Sequence, residues 1–531
     1  MSTYNFAELV YTAASRDASK IAIVTAQDWE ITYGELSKRV SRAGRLFTAL
    51  GIQPGDRVSL LFVNDFRFLE ICFGLIAIGA VPVPMNSKLG AETLSYIYED
   101  SGSRILVYHA AMTDKADEVR RRVPGATGLL CLENDGLDGS EAQPAQAAGE
   151  REDAARIYDL LLREQPDELE LYPTGERDLC LLPYTSGSTG RPKGCRLTHG
   201  GQLWNVSAVV EARDIRPEHR IVISLPLYHK NAMMSMKGVF RSGSSAVILD
   251  APDPERILSA IERRRCTYIS GVPALYRMLV THLKQSRRAY DLSSLQYAVC
   301  GSSDAPPELL EDIRTWLGAD VYEGYGLTEG GPVVLESRKG LHKTGSAGIP
   351  LSGGEIRIVG EDERDLPSGE VGELWVRNPG VADGYWNLPD VTRRKITGDG
   401  WLKTGDAARQ DEEGFVYIVG RQDDMINVGG ENVYPKEVEN ILLKHPLIDD
   451  VCVLPVDHAL KGQVPVAFVV TGGELDKEEI KRFFIERGPA YAHPREILYR
   501  DSLPLTGPGK VDRTEMKRIL AQLTAENQTG H

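Results

Sequence analysis

Short apolar runs alternate with stretches of helical spacing through the first hundred residues. The runs at residues 21–24, 57–62 and 80–84 are predicted to be strands, because continuous apolar runs of this length suit a buried strand. Residues 33–50 and 66–79 repeat apolar positions at helical spacing and are predicted to be helices. This alternation favours an α/β sheet that is covered by helices.

The same alternation returns after residue 178. Strands are predicted at residues 221–225, 246–249, 267–270, 295–299 and 320–323, and helices at 257–264 and 307–317. Residues 355–417 contain short strands separated by turns, which predicts a small β-rich subdomain. Residues 133–177 are rich in Asp, Glu, Gly, Ala, Gln and Pro. We interpret them as a solvated connector without chemistry of its own, with a short helix at 153–163.

A domain boundary is predicted near residues 420–424. The block beyond it has about 110 residues, a usual size for one domain. Its predicted elements are a helix that begins at Pro435, strands at 451–454 and 464–470, and a helix at 477–487. We therefore expect an α/β fold in which residues 1–421 form a large N-terminal domain of layered α/β subdomains plus the β-rich subdomain. Residues 422–531 are expected to form a small α+β C-terminal domain.

Composition narrows the class of protein. The chain has 531 residues, of which 42% are hydrophobic and 26% charged, as is usual for globular proteins. Asp and Glu outnumber Lys and Arg by 76 to 61, for a net charge of −15, so a broad nucleic-acid surface is not expected. Seven scattered cysteines without paired CxxC spacing indicate reduced thiols. The N-terminus lacks a signal pattern and the most apolar run, 71–83, is too short for a bilayer. We expect a cytoplasmic monomer or homodimer without stable membrane insertion.

Residues 185–193 are the most informative stretch of the chain. They read Thr-Ser-Gly-Ser-Thr-Gly-Arg-Pro-Lys and follow an apolar run at 179–182. Glycines let successive N–H groups surround an anion, hydroxyls add donors, and Lys193 adds a point charge suited to phosphate. The spacing is not that of a Walker loop, because two residues separate Gly190 from Lys193. A flexible linker is the alternative, but the density of donors favours a polyphosphate site.

Two downstream segments place carboxylates where a nucleotide would need them. Residues 325–329, Tyr-Gly-Leu-Thr-Glu, follow a predicted strand, at the edge where open α/β sheets bind ligands. Glu329 beside phosphates would suit Mg²⁺, which prefers oxygen ligands, and Tyr325 could stack on a purine; simple packing is the alternative. Asp406 could accept hydrogen bonds from both ribose hydroxyls, although Thr-Gly-Asp also occurs in ordinary turns.

Taken together, these motifs resemble those of the adenylate-forming superfamily, which includes acyl-CoA synthetases, peptide-synthetase adenylation domains and luciferases. The resemblance also covers residues 420–435 and 504–513, and it runs from about Phe6 to Arg513 in family order. It implies an ATP-dependent acid–CoA ligase that forms acyl-AMP with release of pyrophosphate and then an acyl-CoA thioester with release of AMP. The implied small molecules are a carboxylic acid, ATP, Mg²⁺ and CoA.

The resemblance also implies a role for individual residues. Catalytic roles would fall to Lys193, His229, Thr328, Glu329 and Lys510, with Glu329 as the metal ligand. ATP and AMP would be bound by Thr185, Ser186, Gly187, Ser188, Thr189, Gly190, Lys193, Gly301, Ser302, Ser303, Glu323, Gly324, Tyr325, Gly326, Thr328, Asp406, Ile418, Arg421 and Lys510. The acyl pocket would comprise His229, Asn231, Met234, Val272, Gly301, Gly326 and Gly331. CoA would pass His229, Gly429 and Gly430, and Asp423 would be the hinge of a mobile C-terminal domain.

Several alternatives remain open from the sequence. A stand-alone adenylation enzyme could load a carrier protein in place of CoA, and luciferase-type oxidation leaves no separate residue signature. A non-catalytic adenine-nucleotide-binding module would need neither Glu329 nor Lys510. His229 stands where relatives that act on hydroxybenzoates commonly have Asn, which disfavours those substrates. Lys230 could contact a polar group or a second carboxylate of the acid, but a lysine that faces the solvent is the favoured interpretation.

Overall fold

A computed structural model describes residues 4–131, 156–185, 191–301, 305–338, 340–458, 460–505 and 511–529. Some of the predicted site residues lie outside these ranges: Ser186, Gly187, Ser188, Thr189, Gly190, Ser302, Ser303 and Lys510.

The largest sheet in the described part of the chain has nine strands. In spatial order they are Ile349–Pro350, Leu335–Glu336, Asp320–Tyr325, Tyr297–Gly301, Tyr268–Gly271, Arg220–Ile223, Ser245–Ile248, Ile21–Val24 and Glu30–Thr32. The strands from Asp320–Tyr325 to Ile21–Val24 run parallel, and antiparallel strands close both edges. Their apolar residues are buried on both faces, which explains why they read as continuous apolar runs.

A second sheet is parallel throughout. Its strands, in spatial order, are Val81–Met85, Arg57–Leu61, Ser103–His109, Thr127–Cys131 and Arg156–Ile157. Two short antiparallel pairs lie next in the chain: Leu179–Leu181 with Leu197–Thr198, and Tyr184–Thr185 with Lys193–Gly194.

Two smaller sheets follow along the chain. The β-rich subdomain is an antiparallel sheet of Glu355–Val359, Gly372–Arg377, Leu402–Gln410 and Val416–Arg421. The C-terminal sheet contains Glu431–Val433, Ile426–Val428, Gly462–Thr471 and Ile448–His458, with Glu496–Tyr499 parallel to Gly462–Thr471. It packs around its own buried core. The fold is mixed α/β, with a large N-terminal and a small C-terminal domain, as the sequence predicted.

Helices cover both faces of the large sheet. The α-helices are Glu8–Arg16, Tyr33–Ala49, Arg67–Ala77, Ala91–Ser101, Thr113–Arg122, Tyr158–Arg163, His199–Ala212, Lys230–Ser242, Pro254–Arg264, Pro273–Gln285, Pro307–Leu317, Pro389–Lys395, Pro435–Leu442, Lys477–Ile485 and Arg513–Thr529. The 3₁₀ turns are Ala110–Met112, Thr328–Gly330, Gln422–Asp424 and Ala490–Ala492. Pro254–Arg264, Pro273–Gln285 and Pro307–Leu317 share one core, and His199–Ala212 and Lys230–Ser242 belong to the other.

The parallel strands position the site, because their carboxyl ends meet at one edge of the sheet. Ser270, Gly301 and Tyr325 lie at or next to the ends of three of these strands. The helix His199–Ala212 begins where the Thr198 hydroxyl accepts the Gly201 N–H at 3.1 Å, a cap that stabilises a helix by about 1 kcal/mol.

The interpretation of residues 133–177 as a solvated connector is wrong for its described part. The strand Arg156–Ile157 joins the second sheet, and Tyr158 is fully buried with its hydroxyl 2.8 Å from Glu70 Oε1. Further on, Asp167 pairs with Arg42 at 2.6 Å. Polar composition misled the prediction, because the few apolar and aromatic residues of this segment are the ones that pack.

The contacts of the C-terminal domain with the N-terminal one include two hydrogen bonds. Lys436 Nζ donates to the Ile418 carbonyl at 2.5 Å, and the Arg277 guanidinium to the Asp449 carbonyl at 3.3 Å. Within the ranges described above, no helix is long and apolar enough to cross a membrane. The cysteines Cys72, Cys180, Cys195, Cys266, Cys300 and Cys452 are free, buried thiols.

Candidate active site

The predicted polyphosphate loop is framed by a short hairpin. Thr185 and Lys193 stand opposite each other in its two antiparallel strands, so both side chains lie at the ends of the loop between them. The Tyr184 hydroxyl donates to Asp100 at 2.6 Å, and the Arg191 guanidinium lies 5.3 Å from the ring centre of Tyr96. These contacts anchor both strands to the helix Ala91–Ser101.

Glu329 connects this hairpin to Tyr385, which is distant from both in the chain. Its Oε1 accepts the Thr185 hydroxyl at 3.0 Å and the Tyr385 hydroxyl at 3.1 Å. Burial raises the pKa of Tyr385, and the Glu329 charge raises it further, so the phenol stays a proton donor. Tyr385 was not among the predicted site residues. It lies 56 residues beyond Glu329, and no local pattern links the two.

Asp406 forms the second polar centre of the site. One carboxylate oxygen accepts the Tyr325 hydroxyl, and the other accepts the Arg421 guanidinium at 3.0 Å. Arg421 stands opposite Asp406 on the neighbouring strand, which explains their spacing in the sequence. Burial raises the pKa of Tyr325 well above its usual value, with the Asp406 charge as the next cause. The structure thus brings together three residues that the sequence assigned to one nucleotide.

A cleft with a cavity volume of about 50 Å³ lies beside this centre. Its lining includes Asn231, Met234, Gly301 and Gly326 of the predicted acyl pocket, together with Gly324 and Tyr325 of the predicted nucleotide site. His229, Val272 and Gly331 of the predicted pocket are not among its lining residues. A side chain at position 326 would place Cβ 2.0 Å from the Pro332 carbonyl oxygen, so only glycine fits there.

The other lining residues of the cleft were not predicted as site residues: Arg213, Lys230, Ser270, Val299, Pro332, Val333 and Glu336. Lys230 was expected to face the solvent, and this is wrong: its ammonium donates to the Gly326 carbonyl at the cleft. Ser270 Oγ donates to Asn231 Oδ1 at 3.0 Å. Arg213 and Glu336 form a buried ion pair 2.7 Å long, in which burial raises the pKa of Glu336 and the Arg213 charge opposes the rise.

Other predicted residues lie around these centres. Thr328 begins the 3₁₀ turn that carries Glu329, and Glu323 accepts the Gly345 N–H at 3.0 Å. Ile418 and Tyr325 both pack against the core of the β-rich subdomain.

The turn that contains the predicted hinge lies directly after the strand Val416–Arg421. Asp423 is in the 3₁₀ turn Gln422–Asp424, and Asp424 pairs with Lys517 at 3.0 Å. Gly429 and Gly430 turn the chain with φ of +66° and +99°, a conformation that favours glycine.

Comparison with known proteins identifies the family to which this site belongs. The model of the AMP-binding enzyme family matches residues 10–386, and that of the AMP-binding enzyme C-terminal domain matches residues 437–510. The chain belongs to the AMP-binding enzyme family. A feruloyl-CoA synthase of Amycolatopsis is 36% identical over 493 residues, which cover 92% of this chain and 94% of the relative.

Solved structures with a similar fold cover nearly the whole chain. The anthranilate CoA ligase AuaEII with anthranoyl-AMP has a TM-score of 0.87 at 26% identity and covers 98% of both chains. ATP-bound MatB of Rhodopseudomonas palustris has a TM-score of 0.87 at 27% identity, over 98% of this chain and 99% of its own. This AMP-binding enzyme is thus an adenylate-forming acid–thiol ligase of the acyl-CoA synthetase branch. The predicted superfamily, fold class and reaction class are confirmed, and the reactants are an acid, ATP and CoA.

Proposed function

We propose that the protein activates a carboxylic acid that carries an aromatic ring and transfers it to free CoA. In the first half-reaction, a carboxylate oxygen attacks the α-phosphorus of ATP, and the bond to the bridging oxygen of the β-phosphate breaks. Acyl-AMP forms and pyrophosphate leaves. In the second, the CoA thiolate attacks the acyl carbon, the bond to the AMP oxygen breaks, and AMP leaves with that electron pair.

The observation that carries this proposal is that two carboxylates lie next to residues that line one cleft. Glu329 contacts the hairpin that frames the polyphosphate loop, and Asp406 holds Tyr325, which lines the cleft. A nucleotide with its phosphates toward Thr185 and its ribose toward Asp406 would place the α-phosphate at the mouth of the cleft. An acid bound inside the cleft would then point its carboxylate at that phosphorus.

Glu329 also fits the Mg²⁺ that accompanies ATP in this proposal. Its carboxylate is surrounded by the hydroxyl oxygens of Thr185 and Tyr385, and Mg²⁺ is usually held by one or two carboxylates together with substrate phosphates. Among the residues described here, no group of three or more His, Cys, Asp or Glu forms a separate metal cage. Bound beside Glu329, Mg²⁺ would offset the negative charge of the leaving pyrophosphate.

The chain's own residues supply the remaining stabilisation. In this proposal Lys193 and the hydroxyls and amides of residues 185–190 would donate to the phosphates, and Lys510 would stabilise the charge that grows between carboxylate and α-phosphate. One such donor contributes about 3 kcal/mol to transition-state stabilisation when it is held in place beforehand. Asp406 and Arg421 orient the ribose, so that the α-phosphorus faces the acid rather than the solvent.

The lining of the cleft favours a planar acid. Gly301, Gly324 and Gly326 contribute backbone without side chains, while Met234 and Val299 add apolar surface. Backbone without side chains leaves room for a ring to lie close to it. The aromatic acids in the names of two relatives, feruloyl-CoA synthase and anthranilate CoA ligase, agree with this choice.

The second half-reaction requires the C-terminal domain to reorient. We place the domain boundary at residues 421 and 422 and the pivot at Asp423, which lies in a solvent-exposed turn between the two domains. His229, Gly429 and Gly430 would line the path of the CoA arm. In this arrangement Lys510 serves adenylation and leaves before CoA arrives.

Measuring the two half-reactions separately tests this assignment. Pyrophosphate release is followed with a panel of aromatic, alicyclic and linear acids, and thioester formation is followed from supplied acyl-AMP and CoA. Lys510→Ala should abolish the first step and largely spare the second, while Asp423→Pro should slow the second more than the first. Lys477→Ala, at an exposed position of a C-terminal helix, is the control and should change neither.

The outcomes separate the alternatives. Equal loss of both steps in Lys510→Ala would refute its role in adenylation, and wild-type rates of both steps in Asp423→Pro would refute the pivot. Thioester formation with a carrier protein but not with free CoA would replace CoA as the acceptor. Preference for linear acids over every aromatic acid would refute the proposed substrate class.

A further inference from the structure

The inner end of the cleft is closed by an ion pair whose hydrogen-bonding capacity is only partly used. Arg213 donates to Glu336 Oε2 at 2.7 Å, and the two side chains are 7% and 0% exposed. Glu336 Oε1 and Arg213 Nε are also buried, and neither has a hydrogen-bond partner in the described structure. Buried polar atoms are nearly always paired in folded proteins, so this acceptor and this donor indicate a missing partner.

The position of the Arg213–Glu336 ion pair indicates which part of the substrate could supply the missing partner. Glu336 stands opposite Gly324 in the antiparallel strand pair, and a Cβ at position 324 would lie 3.1 Å from both of its carboxylate oxygens. The absence of a side chain at Gly324 thus leaves room for the carboxylate beside the cleft. Gly324 lies two residues inward from Gly326, about 7 Å along the strand from the mouth. The pair therefore faces the end of the acid that is farthest from the reacting carboxylate.

Two further polar groups lie behind the pair. The hydroxyls of Tyr268 and Tyr297 are buried, and no partner for either occurs in the ranges that the structure covers. Their rings stack with centres 5.0 Å apart, and both contribute to the electrostatic environment of Arg213. The inner end of the cleft is thus polar.

We propose that Arg213 and Glu336 bind a hydroxyl group that the acid carries on its ring, opposite the carboxylate. The inference rests on the proposed function and specifies the substituent of its substrate. A neutral hydroxyl can donate to Glu336 Oε1 and accept from Arg213 Nε at the same time. A second carboxylate would face the charge of Glu336, and an ammonium would face that of Arg213, so a neutral hydroxyl suits the pair better than either.

Three acids that differ at one position test the proposal. Pyrophosphate release is measured with 4-hydroxycinnamic acid, cinnamic acid and 4-methoxycinnamic acid, the last of which can accept but not donate. The wild-type enzyme should show a kcat/KM that is roughly 10- to 100-fold higher for the hydroxy acid than for the other two, as expected for a hydrogen bond to a charged group. Glu336→Gln keeps the shape but removes the charge, and it should lower this preference about tenfold.

Removal of one partner of a buried ion pair can prevent folding, so a second variant is included. Arg213→Met with Glu336→Met removes both charges together and should bring the preference for the hydroxy acid close to one. Glu211→Gln is the matched control, because Glu211 is exposed near the end of the same helix that precedes Arg213. It should retain the wild-type preference.

The results distinguish the subsite from the proposed function. Equal kcat/KM for the three acids in the wild-type enzyme, or an unchanged preference in the double variant, would overturn the subsite and indicate that only ordered water pairs with these atoms. The ligase assignment would survive that outcome. Pyrophosphate release with none of the three acids, but with non-aromatic ones, would overturn both the aromatic substrate class and the subsite.

Discussion

Removal of the Tyr385 hydroxyl probes the contact that the sequence did not predict. Tyr385→Phe keeps the ring in place but deletes the donor that lies 3.1 Å from Glu329 Oε1. A hydrogen bond to a charged group contributes about 1.5–3 kcal/mol. The lower value applies here, because Thr185 still donates to the same oxygen and Glu329 is only partly buried. A loss of about 1.5 kcal/mol corresponds to a roughly tenfold lower kcat/KM for adenylation.

A double-mutant cycle shows whether the two hydroxyls act on one carboxylate. Thr185→Val should also lower kcat/KM by about tenfold. The loss of kcat/KM in the combined variant should differ from the product of the two single-variant losses. Residues that share a partner commonly show coupling energies of about 0.5–3 kcal/mol, and we expect about 1 kcal/mol for this pair. The assay is ATP–pyrophosphate exchange at several Mg²⁺ concentrations, since a displaced Glu329 should raise the Mg²⁺ concentration that the enzyme needs.

The control removes a similar hydrogen bond from outside the site. The Tyr417 hydroxyl donates to Asp411 at 3.2 Å, and Tyr417→Phe should leave exchange and its Mg²⁺ dependence unchanged. Exchange within twofold of wild type in Tyr385→Phe, with the same Mg²⁺ dependence, would show that Tyr385 does not position Glu329.

Two other changes test packing and burial. Gly326→Ala would place a Cβ 2.0 Å from the Pro332 carbonyl oxygen, so the rate of adenylation should fall at least tenfold. The control Gly398→Ala, whose Cβ would have nothing within 4 Å, should behave as wild type. Equal rates of adenylation in the two variants would contradict the clash. Burial lowers the pKa of His199 to about 4, and its Nδ1 accepts the Phe6 N–H at 3.1 Å. The unfolded chain binds this proton near pH 6.5, so the stabilisation present above that pH is lost as pH falls toward 4, by about 2 kcal/mol at pH 5. Denaturant titrations at pH 7 and pH 5 should show a smaller difference for His199→Asn, and an equal difference would refute this account.

The sequence predicted several of the regular elements, because their apolar periodicity extends over several residues, but it missed helices such as His199–Ala212, Lys230–Ser242 and Pro273–Gln285. The strand predicted at 57–62 is Arg57–Leu61, and the helix predicted at 33–50 is Tyr33–Ala49. Two-residue strands such as Leu335–Glu336 and Ile349–Pro350 carry no period and were missed. One of them holds the carboxylate at the inner end of the cleft, so the error affected the site as well as the fold.

Site residues were predicted where a motif is continuous along the chain. Glu329 and Asp406 stand in such motifs, and the structure brings each into contact with a neighbour from the predicted set. Tyr385, Arg213 and Glu336 depend on contacts between distant segments, and the pairing of Arg213 with Glu336 spans 123 residues. Nothing local distinguishes such an arginine or glutamate from one on a solvated face, which is the usual place for both.

The strand pair that carries Gly324 and Glu336 links the two functions of the cleft. Side chains alternate between faces along a strand, so Glu336 faces the cleft only in the register that sets it opposite Gly324. The strand Asp320–Tyr325, which carries Gly324, ends at Tyr325, and the Tyr325 hydroxyl donates to Asp406. A shift of one residue in this pairing would turn Glu336 away from the acid and displace the segment that leads to Thr328. Under the proposed function, recognition of the acid and placement of the nucleotide would both depend on this register, and substitutions at position 324 should alter both together.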